Sequence, residues 1–285
     1  MEMIEICDTH NDFLTELEVD ALPNYIKSCK ESGVKVICAS YWSTKRDRAS
    51  IFYELEQKAK VLRENSDFLL HLEDLWWVSD EKAFQFLNLI KPFTCSLTWN
   101  GKNSLASGTG SQGGLTELGW KVANMLIERG IVIDFAHLNC QSFYQLSKLV
   151  KNNLYCSHTG FRGIKNAKRN LTDRQVETIV KSNGFIGLFF FDKCVKTSND
   201  FGVFDIVENL KYFTSRWGFD NIGIGSDFYG IDNHPKGLEN YCDFSNLTQA
   251  LSEAGFNKEQ IEKLYHKNFE AFLNRTNKSF LQRIK

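Results

Sequence analysis

The feature that most constrains this chain is an alternation: eight short apolar runs, each separated from the next by a longer, more polar stretch. The runs are residues 4–7 (IEIC), 34–40 (VKVICAS), 68–73 (FLLHLE), 93–98 (FTCSLT), 131–137 (IVIDFAH), 154–158 (LYCSH), 185–191 (FIGLFFF) and 221–227 (NIGIGSD). They are rich in β-branched and aromatic residues and short enough for buried strands. Between them, residues 48–65 and 116–129 place apolar side chains at three- and four-residue spacing, the mark of a helix with one buried face. Thr172 and Gln175 spell a capping box, and Asn257 with Gln260 repeats it before a last helix expected to reach about Phe272. Strands alternating with helices favour a parallel sheet, and eight strands covered on both faces suit a closed (β/α)8 TIM barrel of about 250 residues. The competitor is an open doubly wound sheet, but no glycine-rich dinucleotide fingerprint follows the first run. With 285 residues and no linker, repeat or low-complexity tract, residues 1–285 read as a single domain. The stretch SGTGSQGG, 107–114, reads as a mobile loop at the barrel mouth.

Charge narrows the partners. Lys and Arg number 34 against 35 Asp and Glu, a formal net charge of −1. That leaves no basic excess for a phosphate backbone and no polybasic cluster for a membrane surface. No apolar run approaches the roughly 18 residues a spanning helix needs. The acidic start, MEMIEICDTHND, does not read as a signal peptide. Of eight cysteines, Cys7, Cys38, Cys95 and Cys156 sit in apolar runs, and no CxxC spacing occurs. Reduced, packed thiols in a cytoplasmic protein are the simpler expectation.

Metal-capable side chains gather at the carboxyl ends of the runs, where barrel enzymes carry their chemistry. His10 and Asp12 close the first, Glu73 the third, His137 the fifth, His158 the sixth and Asp227 the eighth. His10 and Asp12, two apart, would share one face of a strand and offer an imidazole and a carboxylate to a divalent ion. Two more imidazoles and Glu73 supply enough donors for a pair of ions about 3.5–4 Å apart. Taken singly, a strand-end histidine is more often a packed or loop residue; five such positions on one rim favour metal. His71 shares the face of Glu73, where a packed core histidine is the plainer reading and a supporting role the sharper one. His234 and His266 read as ordinary, with substrate contact by His234 the lesser alternative.

Together with DTHNDF (8–13), LTWN (97–100), GLTELGWKVANMLIERGIVIDFAH (114–137), SH (157–158), KRNLTD (168–173), IGIGSDF (222–228), KGLENY (236–241) and KNFEAFL (267–273), these residues resemble the membrane (renal) dipeptidase family of zinc peptidases. The resemblance implies an amidohydrolase-type barrel with two zinc ions: His10 and Asp12 on one, His137 and His158 on the other, Glu73 bridging. It implies hydrolysis of small dipeptides by a metal-bridging hydroxide, with Asp227 as acid/base and Arg169 taking the substrate carboxylate, a C-terminal D-residue tolerated, and a homodimer. Two departures bear on catalysis. Trp99 stands where many relatives carry a substrate-contacting His, which leaves transition-state stabilisation to its Nε1 hydrogen or to Asn100, or weakens it, or makes Trp99 a packing aromatic at the mouth. Tyr229 replaces a second Asp. Two other readings stay open: a binuclear-metal amidohydrolase acting on N-acyl amino acids or lactones, and a catalytically silent binding barrel.

Overall fold

The computed structural model describes residues 4–45, 47–65 and 67–276. Its eight strands are β1 (Ile6–Asn11), β2 (Val34–Tyr41), β3 (Phe68–Leu72), β4 (Thr94–Ser96), β5 (Val132–Asp134), β6 (Tyr155–Thr159), β7 (Phe185–Leu188) and β8 (Ile222–Ile224). All pair in parallel in chain order, and β8 returns to β1 with Asp8 opposite Ile224, so the sheet closes into the (β/α)8 barrel that the alternation predicts. Helices Arg48–Arg63 and Glu117–Glu128 cover it where the periodicity places them, capped by Asp47 and Thr116. Both capping boxes form. The last helical stretch runs from Lys258 through a π turn, Lys263–Lys267, to Thr276, four residues past the expected end.

One apolar cluster lies between strands and helices, and a second fills the lower barrel. In the second, Cys7, Cys38, Leu69, Phe93, Tyr155 and Phe185, on or just before the strands, close on Phe269 and Phe272 of the last helix. That aromatic plug seals the amino end of the barrel, and the carboxyl end stays open for chemistry. All eight cysteines are free, six of them buried. Among the described residues no helix is long and apolar enough to cross a membrane.

Several strands are shorter than their apolar runs, and the difference shapes the site. In the run 131–137 pairing stops at Asp134, whose Oδ1 accepts from the Ala136 amide and turns the chain off the ladder. His137 follows with φ +64°, a left-handed conformation that a non-glycine residue adopts only under external constraint. Likewise β8 ends at Ile224; Asp8 Oδ1 captures the Ser226 amide, and Asp227 has φ +65°. Asp12 lies just past β1 in a turn (φ −86°, ψ 10°), so the strand period does not bring it to His10; the turn does. The glycine-rich loop is stitched down: Thr109 N donates to His137 O, Gly110 N to Asn100 O, and Asn139 Nδ2 to Ser111 O and Gly113 O. A Cβ on Gly108 would stand 2.0 Å from Trp99 O, so close packing against the backbone explains the glycine better than mobility.

Candidate metal centre

Six side chains from five strand ends converge. His10 Nε2 lies 3.3 Å from Asp12 Oδ2, 3.4 Å from Glu73 Oε2 and 3.8 Å from Asp227 Oδ1. Glu73 spans the site, its other oxygen 3.2 Å from His137 Nε2. His137 Nε2 in turn faces His158 Nε2 at 2.9 Å.

The partners on the far side of each ring decide which nitrogen is free. Asn100 Oδ1, an acceptor also engaged by Thr109 Oγ1, sits 2.9 Å from His137 Nδ1, so that nitrogen carries the proton. Ser157 Oγ gives its single hydrogen to Asp134 Oδ2 at 2.5 Å and so must accept from His158 Nδ1 at 2.7 Å. Both imidazoles therefore present an unprotonated Nε2 to each other. Two lone pairs at 2.9 Å repel unless a cation lies within their reach. His10 Nε2 and Asp12 Oδ1 are also buried without a hydrogen-bond partner among the described residues. Three imidazole nitrogens, the Glu73 carboxylate between them and the Asp12 carboxylate at one side fit divalent ions of the zinc type. Asn100 Oδ1 and Ser157 Oγ fix the outer nitrogens, and the Asp134 carboxylate stands behind Ser157, so each ring is oriented from its far side as a metal-ligating imidazole needs.

Charge balance points the same way. Burial pushes the Glu73 carboxyl well above the ordinary carboxylate range and Asp227 up to about 8; His10 pulls both down and Asp12 pushes both up. Burial lowers the His10 imidazole, yet Asp12 and Glu73 outweigh it and hold the ring at about 10. Burial drives His71, His137 and His158 well below the usual imidazole range. Three carboxylates packed in the interior around two neutral rings and a single cationic one are a poor arrangement by themselves and a good one for cations.

Above the cluster lies a cavity of about 390 Å³. Arg169 forms part of its wall, its Nη2 donating to His158 O at 2.9 Å and its guanidinium lying 5.3 Å from the centre of the Phe189 ring. Trp42 and Trp99 form another part, stacked with planes 9° apart and centroids 5.7 Å apart. Trp99 is 45% exposed and its ring lies 6.3 Å from His137, which places it at the rim as well as beside a candidate ligand. Glu16 and Asp232, both exposed, line the cavity too. Gly230 lets two carboxylates approach: a Cβ there would stand 2.3 Å from Asp12 Oδ2 and 2.6 Å from Asp227 Oδ1.

The cavity and its floor thus bring together the residues that the sequence assigns to the site: His10, Asp12, Glu73, His137, His158, Asp227, Arg169, Trp99 and Asn100. His266 lies at the opposite end, within an ion-pair group of Glu5 and Glu270. His234 borders a separate cavity beside Phe228 and Tyr241. Sequence reasoning missed Asp134, Ser157 and Trp42. The signal for Asp134 was available: a carboxylate inside an apolar run must have a buried partner.

The family model for membrane dipeptidases, peptidase family M19, matches residues 90–279. Dipeptidase tcpJ of Claviceps purpurea is 24% identical over 156 residues, 54% of this chain and 37% of that protein. Dipeptidase ataJ of Aspergillus terreus is 27% identical over 137 residues, 47% of this chain and 33% of that protein, so the chain spans only a minor part of the length of these relatives. A metallopeptidase from Rhodobacter sphaeroides, solved with a phosphinate mimic of the dipeptide L-Ala-D-Ala, has a TM-score of 0.82 at 20% identity, covering 96% of this chain and 100% of that one. The dipeptidase AC, a metallopeptidase of family M19, gives 0.81 at 21%, covering 96% and 99%.

Proposed function

Because the chain belongs to the membrane dipeptidase family, we propose that it is a metal-dependent dipeptidase with two zinc ions, bound by His10 and Asp12 on one side, by His137 and His158 on the other, and by Glu73 between them. The observation that carries this reading is the set of unprotonated or unpartnered donors, His10, Asp12, His137 and His158, that meet across Glu73 at the floor of an open cavity. Ions held there would supply Lewis acidity towards the peptide carbonyl and lower the pKa of water towards neutrality.

The protein's own residues do the rest. Arg169 offers a planar fork to the substrate's terminal carboxylate, its position set by the bond to His158 O. Glu16 and Asp232 offer negative charge to a free α-amino group, which favours a dipeptide over an N-acyl amino acid or a lactone. Asp227 Oδ1 takes the proton of the attacking water and returns it to the departing amine, a role worth about 10²–10⁴-fold in rate. Trp99 replaces an imidazole at the rim, so the carbonyl oxygen finds an indole N–H there and no proton acceptor. The free thiols suit a reducing, cytoplasmic setting, and a C-terminal D-residue is part of the proposal.

The test is elemental analysis of protein purified without chelator, coupled to hydrolysis of a panel of L,L and L,D dipeptides, their C-terminal amides, N-acyl amino acids and lactones. Close to two zinc ions per chain and turnover of free dipeptides, lost with the amides and in Arg169→Ala, are expected. Dipeptide turnover that ignores Arg169→Ala, or preferred turnover of N-acyl amino acids or lactones, would overturn the dipeptidase reading. Absence of both metal and hydrolysis after zinc addition would leave a binding barrel.

A further inference from the structure

Next to the proposed ligands lies a fourth imidazole that the fold does not account for. His71 precedes Glu73 by two residues at the end of β3, and its side chain enters the barrel against His10. It is fully buried, with ring centroids 5.2 Å apart and planes at 67° to His10. Among the described residues neither Nδ1 nor Nε2 has a hydrogen-bond partner. The nearby anion, Asp134 Oδ2, is 3.7 Å from Nε2 and already accepts from Ser157 Oγ. The hydroxyls of Ser40 and Thr94, neighbours of His71 in register on β2 and β4, have no partner among the described residues either, so the flanking strands do not satisfy the ring.

A neutral imidazole brings one donor and one acceptor into the interior. Leaving either unmade costs about 1–3 kcal/mol, a cost that an aliphatic side chain at this position would avoid. Packing alone therefore does not explain a histidine here. Coordination does: a ring nitrogen of His71, one of His10 and a carboxylate oxygen of Glu73 all lie within 4.8 Å of one another.

We propose that His71 is a further metal ligand, joining His10 and Glu73 around the cation those two share. The inference rests on the metal-centre reading above. It gives each of the two ions a pair of imidazoles, His10 with His71 and His137 with His158, with Glu73 common to both. A centre of four imidazoles selects nitrogen-preferring divalent ions such as zinc, cobalt or copper over magnesium, calcium or manganese.

The test compares wild type with His71→Leu and His71→Phe, the latter keeping a flat ring against His10. Each protein is stripped with chelator, melted metal-free, then titrated with Zn²⁺ by calorimetry and with Co²⁺ by visible absorption. The variants are expected to melt no lower than wild type without metal. One of the two zinc-binding steps should weaken by on the order of tenfold or more, and the cobalt d–d bands of that step should change. Unchanged isotherms and cobalt spectra in both variants would overturn the proposal and leave the metal centre standing. So would metal-free melting well below wild type in both, which would make His71 a structural residue. Wild-type protein that takes up no divalent ion would overturn the metal-centre reading itself, and His71 as ligand with it.

Discussion

Replacing Asp134 by asparagine keeps the shape of the side chain and reverses the direction of a proton relay. Asp134 is fully buried; its Oδ1 accepts from the amides of Ala136 and Ser157, and its Oδ2 accepts the hydroxyl of Ser157. In Asp134→Asn the two amides still find Oδ1, but the other position becomes an NH₂ that donates to Ser157 Oγ. The hydroxyl hydrogen then turns towards His158 Nδ1, which must give up its own proton. The ring proton moves to Nε2 and occupies the lone pair that faces His137. Loss of such an orienting partner costs about 10–100-fold in metal affinity, or roughly 1.4–2.7 kcal/mol. Asp134→Ala does more, because two buried amides lose their acceptor at about 1–3 kcal/mol each. Calorimetric zinc titration and metal-free thermal melts separate the two effects. Asp134→Asn should weaken zinc binding with a small change in Tm, and Asp134→Ala should lower both. If Asp134→Asn binds zinc as tightly as wild type, the hydroxyl of Ser157 does not set the tautomer of His158 and the reasoning fails.

Three further outcomes follow from the same geometry. Gly230→Ala puts a methyl group against Asp12 Oδ2 and Asp227 Oδ1, so zinc affinity and turnover should fall together with circular dichroism unchanged; tight zinc binding in this variant would contradict the placement of Asp12. Asp205 accepts from Thr197 N and Oγ1, Ser198 N and Oγ, and Gly202 N; burial raises its pKa, but these donors outweigh it and hold the carboxyl below its usual range. Its contribution, on the order of 2 kcal/mol, is present above the unfolded-state pKa and lost as pH falls through the lower folded-state value, so the Tm gap between wild type and Asp205→Asn should be wide at neutral pH and narrow in acid. Trp42→Ala removes one half of the stacked pair at the rim; kcat/KM for dipeptides with an aromatic residue should drop roughly three- to tenfold, the 0.5–1.5 kcal/mol of an aromatic contact, with glycyl-glycine unaffected.

The barrel was legible because a parallel barrel buries both faces of every strand, so its strands appear as uninterrupted apolar runs. The candidate ligands were legible for a related reason: His10, Glu73, His137 and His158 are metal-capable residues at the carboxyl ends of runs that are otherwise mostly apolar. What stayed hidden depends on the barrel being closed. Nothing local says that Asp8 will take the Ser226 amide more than two hundred positions away, or that β8 therefore ends at Ile224. Trp42 and Trp99 meet only because the loops after β2 and β4 lean over one mouth. The glycine-rich loop misled because composition reports the freedom of a chain in isolation. Asn100 and Asn139 supply the bonds that remove that freedom.

The same distinction explains why the strand ends are strained. Asp74, His137, Asp227 and Tyr229 all hold positive φ without being glycine, at a cost of about 1–3 kcal/mol each. Hydrogen bonds beside them supply the constraint: Thr109 N holds His137 O and His10 O holds Asp227 N from distant parts of the chain, and Asp227 O receives Gly230 N within its own turn. A residue turned off its strand in this way aims its side chain across the barrel axis, which strand geometry alone would not do. His137 thereby reaches His158 and Glu73 at once, and Asp227 comes within 3.8 Å of His10. The short strands and the convergent donors are one feature, since buried Asp8 and Asp134 draw backbone amides off the ladder at the points where those two side chains must turn inward.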